Sequence, residues 1–201
     1  MIQESRDRDL MPRVVAGEIR QHGIDGGARR AIDFGCGTGV LSFLLEGDLG
    51  VIYAVDTADE KMDHLEATLA TREKSGADIR PLRIDLTKDP FPHGKVDLVF
   101  AMMSLHHVPD PFSLIGGFAE ILEPGGRLCI ADLEESGQPF HPSHMEHARD
   151  GFTRDELEET CRRYDLTPLR YEVVHRMLRV GPDGLEHSHP IFAFFAEKPG
   201  A

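Results

Sequence analysis

The chain of 201 residues is poor in cysteine: Cys36, Cys129 and Cys161 are odd in number, scattered, and form no C-x-x-C pair. That speaks against a disulfide framework or a cysteine-based zinc cluster and for reduced thiols. No run approaches the ~20 apolar residues that a membrane span needs. The charged start, Met1 to Asp9, has no apolar segment behind it, so it does not read as a secretory signal. A cytoplasmic protein without a membrane partner is expected. Basic residues are also scarce: 22 stand against 35 acidic ones, a formal charge of −13, with no dense Lys/Arg run. A polyanion would be repelled by such a surface, so nucleic acid is not expected as substrate or partner. Repeats, low-complexity stretches and linkers are absent, which leaves one domain over 1–201. Composition is ordinary for a globular protein, 40% hydrophobic and 28% charged.

What is there alternates between strand and helix patterns. Leu10, Met11, Val14, Val15 and Ile19 recur at helical spacing and predict a helix ending near Gly23. Ala31–Phe34, Val51–Val55, Ile79–Ile84, Val96–Met102 and Arg127–Ala131 read as five strands. Val40–Leu45, the Met62/Leu65/Leu69 face and the Phe112–Leu122 face read as the helices between them. Pro124-Gly125-Gly126 reads as a turn. Thr153 and Glu156 form a capping box that starts a further helix. Tyr171–Val180 and Ile191–Glu197 pair as an antiparallel hairpin, with a polar connection reaching Pro190. The expected fold is α/β, Rossmann-like and doubly wound: a mostly parallel seven-stranded sheet with an antiparallel C-terminal hairpin strand. Ligands of such sheets bind beyond the carboxyl ends of the strands, at the switch point.

The first of those ends reads Asp33-Phe34-Gly35-Cys36-Gly37-Thr38-Gly39. Its spacing is G-x-G-x-G, whereas a dinucleotide turn is G-x-G-x-x-G; Val40 stands where the third glycine would fall. The turn also opens on an acid, which repels a pyrophosphate and suits an ammonium group. Asp56 ends the second strand, where a carboxylate can accept from both hydroxyls of a ribose. Asp85 ends the third, where an acid can accept from the exocyclic amine of adenine. Each acid alone is more often a cap or a solvated turn residue. Three of them after consecutive strands, behind a glycine turn, describe a pocket for a positively charged nucleoside.

The sequence Ala31-Ile32-Asp33-Phe34-Gly35-Cys36-Gly37-Thr38-Gly39 resembles the first motif of the class I S-adenosylmethionine (SAM)-dependent methyltransferases, and Tyr53-Ala54-Val55-Asp56 resembles their second. Val96 to Asp110, with Leu105-His106-His107-Val108-Pro109-Asp110, is similar to a segment of the small-molecule methyltransferases. Leu122-Glu123-Pro124-Gly125-Gly126-Arg127-Leu128 is similar to the turn into their fifth strand. The resemblance covers about residues 30–133. It implies that Gly35 and Gly37 line the methionine part of SAM and that Asp33 helps to hold its amino group through water. Asp56, with Thr57 beside it, would bind the ribose, Asp85 and the backbone of Leu86 would face the adenine, and Ala101 and Met102 would lie next to the sulfonium. S-adenosylhomocysteine would be the product. Two departures stand out: Ala101-Met102-Met103-Ser104 replaces the N-P-P-Y type of segment found in methyltransferases of amide and exocyclic nitrogens, and Thr57-Ala58 lacks the serine common two positions after Asp56.

The sulfonium makes the methyl group electrophilic, so alignment and exclusion of water can supply most of the acceleration. A base is needed only where the nucleophile must lose a proton. His106 and His107 follow the fourth strand. For His106, base and packed loop residue both stay open; His107 reads as packing or solvent-exposed. The stretch 132–152 is long for a connection, and together with 1–25 it is a candidate lid or acceptor-site element. Within it His144 and His147 would share a helix face and are candidate catalytic groups. No fourth ligand is evident, so no metal is expected. The acceptor is expected to be a small molecule in a partly closed pocket, and the oligomeric state is not legible. The alternative is a nonenzymatic SAM-binding sensor or partner-supporting domain.

Overall fold

The computed structural model describes residues 2–24, 30–73, 75–141, 148–180 and 184–200, with the backbone alone for 2–9. Helix α1 (Ile2–Glu18) ends in a π-helical turn (Ile19–Gly23), and β1 (Arg30–Phe34) follows. Next come α2 (Val40–Leu45), β2 (Val51–Asp56), α3 (Asp59–Thr71), β3 (Asp78–Arg83) and β4 (Val96–Met102). A 3-10 turn (Leu105–His107), α4 (Pro111–Ile121), β5 (Leu122–Leu133), α5 (Arg154–Arg163), β6 (Thr167–Val180) and β7 (Glu186–Glu197) complete the chain.

The strands form one seven-stranded sheet in the order β3-β2-β1-β4-β5-β7-β6. The five strands from β3 to β5 pair in parallel, and β7 runs antiparallel to both β5 and β6. This is the doubly wound sheet that the alternating pattern predicts. Its switch point lies between β1 and β4, where the chain turns outward in opposite directions.

Side-chain alternation along the strands divides the core in two. Ile32, Tyr53 and Val99 face α4 and α5, where they meet Ile115, Phe118 and Leu157. Ala31, Ile52, Leu98 and Phe100 face α1, α2 and α3 and meet Val15, Leu41 and Leu65. Helix α5 begins on the capping box of Thr153 and Glu156, with Thr153 Oγ1 accepting from the Glu156 amide and the Glu156 carboxylate accepting from the Thr153 amide. Helix α4 is capped by Asp110, which accepts from the Ser113 amide at 3.0 Å. The three cysteines are free thiols, and burial pushes those of Cys36, Cys129 and Cys161 upward and keeps them protonated.

Three boundaries differ from the sequence reading. The Pro124-Gly125-Gly126 segment lies inside β5 as a bulge: Leu122 pairs with Val96, and Arg127 pairs with Leu98. The bulge is pinned to the end of β7, since Gly125 N donates to Lys198 O and Lys198 N donates to Gly126 O, both at 2.8 Å. The hairpin pairs from Thr167 opposite Glu197 to Val180 opposite Glu186, so the polar stretch before Pro190 is strand rather than connection. Strand β5 runs on to Leu133, which makes Asp132 a buried strand residue instead of the start of a loop.

Candidate functional site

The loop after β1 bends at glycines with left-handed backbone, Gly35 at φ 67° and Gly37 at φ 57°. A Cβ on Gly35 would stand 2.4 Å from the Cβ of Ser104, whereas one on Gly37 would meet only the Lys61 side chain at 3.7 Å. An L-residue in this conformation costs about 1–2 kcal/mol. Gly37→Ala is therefore expected to lose that amount alone, and Gly35→Ala to lose clearly more, because Ser104 must also move. Thermal unfolding of the two variants checks this. Equal midpoints would remove the close packing of the glycine turn on Ser104.

Asp56 ties the turn to β2. Its Oδ2 accepts from Gly37 N at 2.8 Å and its Oδ1 from Ala58 N at 2.9 Å. Alternation places Asp33 on the face beneath α2, where Ser42 Oγ donates to its Oδ2 at 2.6 Å. Asp33 is 2% exposed. Burial lifts its carboxyl to about 7, against the pull of the Ser42 hydroxyl and with a further push from the charge of Asp56. Asp85 is half-buried; ion pairing with Lys88 and the Thr87 hydroxyl hold it below the usual carboxylate range.

Two adjoining cavities open at the carboxyl ends of the strands. One, of about 490 Å³, has Asp33, Gly35 and Gly37 on one side and Met11, Pro12, Met177 and Arg179 on the other. The second, of about 370 Å³, is lined by Asp56, Thr57, Asp85, Ser104 and His107, among others. Gly35, Lys61 and Met103 line both. Met103 itself has a left-handed backbone, φ 53°, with its amide donating to Ala131 O at 2.8 Å. Non-glycine strain of this kind tends to sit at ligand sites.

The residues singled out by sequence thus divide. Asp33, Gly35, Gly37, Asp56, Thr57, Asp85 and Met102 line the cavities. The Leu86 side chain packs against the core, and Ala101 is buried among apolar residues of the α4 face and lines neither cavity. His144 and His147 lie outside the described residues. Lys61, Met103 and the β6 wall of Met177 and Arg179 were not read from the sequence. Met103 lies in the quoted Val96–Asp110 segment without a role assigned to it there; Lys61, Met177 and Arg179 belong to no motif, and only the folded sheet brings them to the strand ends.

His106 is 1% exposed and packs beside Asp132, which is fully buried. Asp132 Oδ1 accepts from His106 Nδ1 at 2.5 Å and from Leu133 N at 2.8 Å, and its Oδ2 accepts from Leu105 N at 3.0 Å and His106 N at 3.3 Å. Three backbone amides already donate to this carboxylate, and a carboxylate only accepts, which assigns the facing Nδ1 as its fourth donor. His107 is exposed at the mouth, and His141 comes from the segment after β5. Ring centroids lie 4.1 Å apart for His106 and His107, 5.0 Å for His106 and His141, and 5.1 Å for His107 and His141. Desolvation, with repulsion from the neighbouring rings, pushes His107 down to about 4 and also lowers His141.

A family model described as a methyltransferase domain matches residues 32–130. The ubiquinone biosynthesis O-methyltransferase of Marinobacter nauticus is 31% identical over 119 residues, which cover 56% of this chain and 47% of that protein. The 27-O-demethylrifamycin SV methyltransferase of Amycolatopsis mediterranei is 32% identical over 106 residues, covering 52% of this chain and 38% of that protein. The match thus spans less than half the length of these curated relatives. Among solved structures, a methyltransferase of Haloferax volcanii in complex with the activator Trm112 superposes with a TM-score of 0.75 at 18% identity, covering 98% of this chain and 95% of that one. The [4+2]-cyclase SpnF gives 0.74 at 18% identity, covering 94% and 81%. A SAM-dependent methyltransferase of Clostridium acetobutylicum gives 0.67 at 13% identity, covering 94% and 91%. At these identities the solved structures show the fold, and a fold hosts more than one reaction. No helix among the described residues is long and apolar enough to cross a membrane.

Proposed function

We propose that the chain is a class I SAM-dependent methyltransferase, a reading that the methyltransferase-domain match over residues 32–130 supports, and that it transfers the methyl group of SAM to a small-molecule acceptor by in-line displacement. The observation that carries this is the set of acids around the glycine turn. Asp56 keeps about two acceptor positions after binding the amides of Gly37 and Ala58, enough for the two hydroxyls of a ribose. Asp33 offers a buried carboxyl for the ammonium group, and Asp85 offers a carboxylate at the outer end for adenine. The residues present therefore fit the cofactor. When bound, SAM supplies a methyl group already activated by its sulfonium.

The protein's own contribution is placement and dryness. Met103 lines both cavities and Met102 the first, and Met11, Pro12 and Met177 form a pliant apolar wall for the acceptor. That wall fits an acceptor with an apolar body. The curated relatives named above are O-methyltransferases, which favours a hydroxyl as the nucleophile.

The test is isothermal titration with SAM at several pH values, followed by acceptor screening with product S-adenosylhomocysteine as readout. In the free protein Asp33 is protonated below about pH 7. The ammonium group prefers the ionised form, so binding must release a proton there. Affinity is expected to be flat above pH 7 and to weaken towards about tenfold per unit as pH falls below it. Absence of SAM binding by the folded protein at any pH overturns the function. Tight but pH-independent binding removes only Asp33 from the ammonium.

A further inference from the structure

Three histidines cluster beside the cleft, His107 lining the cavity that holds Asp56, and none of them is assigned a contact to the cofactor. One ring nitrogen from each of His106, His107 and His141 lies within 4.8 Å of the other two. Two come from the turn after β4. The third comes from 34 residues further along, after β5, and two contacts fix its place: Asp150 Oδ1 accepts from the backbone amides of Phe140, at 2.8 Å, and His141, at 3.1 Å. On the other side, Arg149 N donates to His106 O at 2.8 Å, which fastens the end of the same segment to the turn.

Three imidazoles side by side are a poor arrangement in themselves. They repel when protonated and offer each other little when neutral. Nε2 of His141 is buried and has no hydrogen-bond partner among the described residues, and an unpartnered buried nitrogen is destabilising. His106 is held differently. Its Nδ1–H is given to a fully buried carboxylate, which fixes the ring and leaves Nε2 with its lone pair. A histidine that ligates a metal is typically held in this way by a carboxylate behind it.

We propose that His106, His107 and His141 form a binding site for a divalent transition-metal ion, with Asp132 as the carboxylate that orients His106. Imidazole nitrogens select zinc, iron, copper, nickel or cobalt over magnesium or calcium, and zinc suits three histidines with one open position. At metal–nitrogen distances of about 2.0–2.1 Å, tetrahedral ligands stand roughly 3.4 Å apart. Ring rotations of about an ångström bring the three nitrogens to that spacing. The site borders the cavity that holds Asp56, which His107 lines; Arg179, which lines the other cavity, lies 4.3 Å over the ring of Phe140, the residue before His141. The open position can take an oxygen donor from the cleft, such as the hydroxyl of an acceptor. Only that use of the ion rests on the methyltransferase reading; the binding of the ion does not.

The test uses the tag-free, chelator-treated full chain dialysed against Zn²⁺, or titrated with Co²⁺ while its visible spectrum is followed. The expected result is one equivalent of zinc per chain, and cobalt bands of low-coordinate type. His107→Ala with His141→Ala, both near the surface and safe for folding, should weaken zinc binding at least about 100-fold, while His64→Gln on exposed α3 should leave it unchanged. Less than stoichiometric zinc at about 10 µM free ion, or equal affinity in the double variant, overturns the site. A double variant that loses zinc while melting as the parent does supports the site. SAM titration of the parent chain separates the two readings: zinc uptake by a protein that does not bind SAM leaves the site standing while the function falls.

Discussion

Asp56→Ala is expected to weaken SAM binding by about 100-fold or more. The carboxylate has two positions open to the ribose, and a hydrogen bond to a charged group contributes about 1.5–3 kcal/mol. Losing two such bonds corresponds to roughly two to four orders of magnitude. The substitution also removes the acceptors of Gly37 N and Ala58 N, so the glycine turn loses its tie to β2. Asp56→Asn separates these effects. It keeps one carbonyl acceptor, so it can hold one of the two backbone ties and should disturb the loop less, while still losing much of the ribose affinity. Calorimetry on both variants gives the answer, and an unchanged dissociation constant for Asp56→Ala would falsify the ribose assignment.

The largest effect on stability is expected at Asp132. Four donors converge on its carboxylate: the Leu105, His106 and Leu133 amides and the His106 ring. Asp132→Ala orphans all four in a fully buried place, and each buried unsatisfied donor costs about 1–3 kcal/mol. Even after water enters the void, a loss of about 3–5 kcal/mol is expected. At about 2–4 °C per kcal/mol for a domain of this size, the midpoint should fall by roughly 10 °C or more. Asp132→Asn should fall by less, since it keeps one of the two oxygens. A melting curve of Asp132→Ala within about 2 °C of the parent would show that the carboxylate is not the anchor of the turn after β4.

Much of the cofactor half could be read along the chain because its signals are local. A strand of apolar residues, a turn with glycines at alternate positions and an acid at the next strand end all fall within 31–56, and β1, α2 and β2 form there. The capping box at Thr153 was equally plain, since both partners lie within one helical turn. The hairpin was read short. Glu186 to His189 are polar and Pro190 carries no donor, so the apolar run that signals a strand begins only at Ile191, yet pairing with β6 continues through them. The Pro-Gly-Gly segment carried the residues of a turn, and the anchorage on Lys198 that makes it a bulge is far away in sequence. The histidine cluster was out of reach for the same reason. The helical spacing of His144 and His147 points to one segment, while His141, earlier in that segment, finds its partners at another strand end. Asp132 had the composition of a loop start, and only the pairing of β5 with Ile191 and Phe192 in β7 shows it as interior.

The position of β7 carries a kinetic consequence. The last strand in the chain lies inside the sheet, between β5 and β6. A growing polypeptide can assemble β1 to β5 early, but β5 then offers an open edge, of the kind that recruits other chains, until residues 186–198 emerge. The sheet therefore cannot shut until β7 arrives. The interval between completion of β5 and arrival of β7, rather than the nucleation of the glycine-turn half, is when this sheet is most exposed to aggregation.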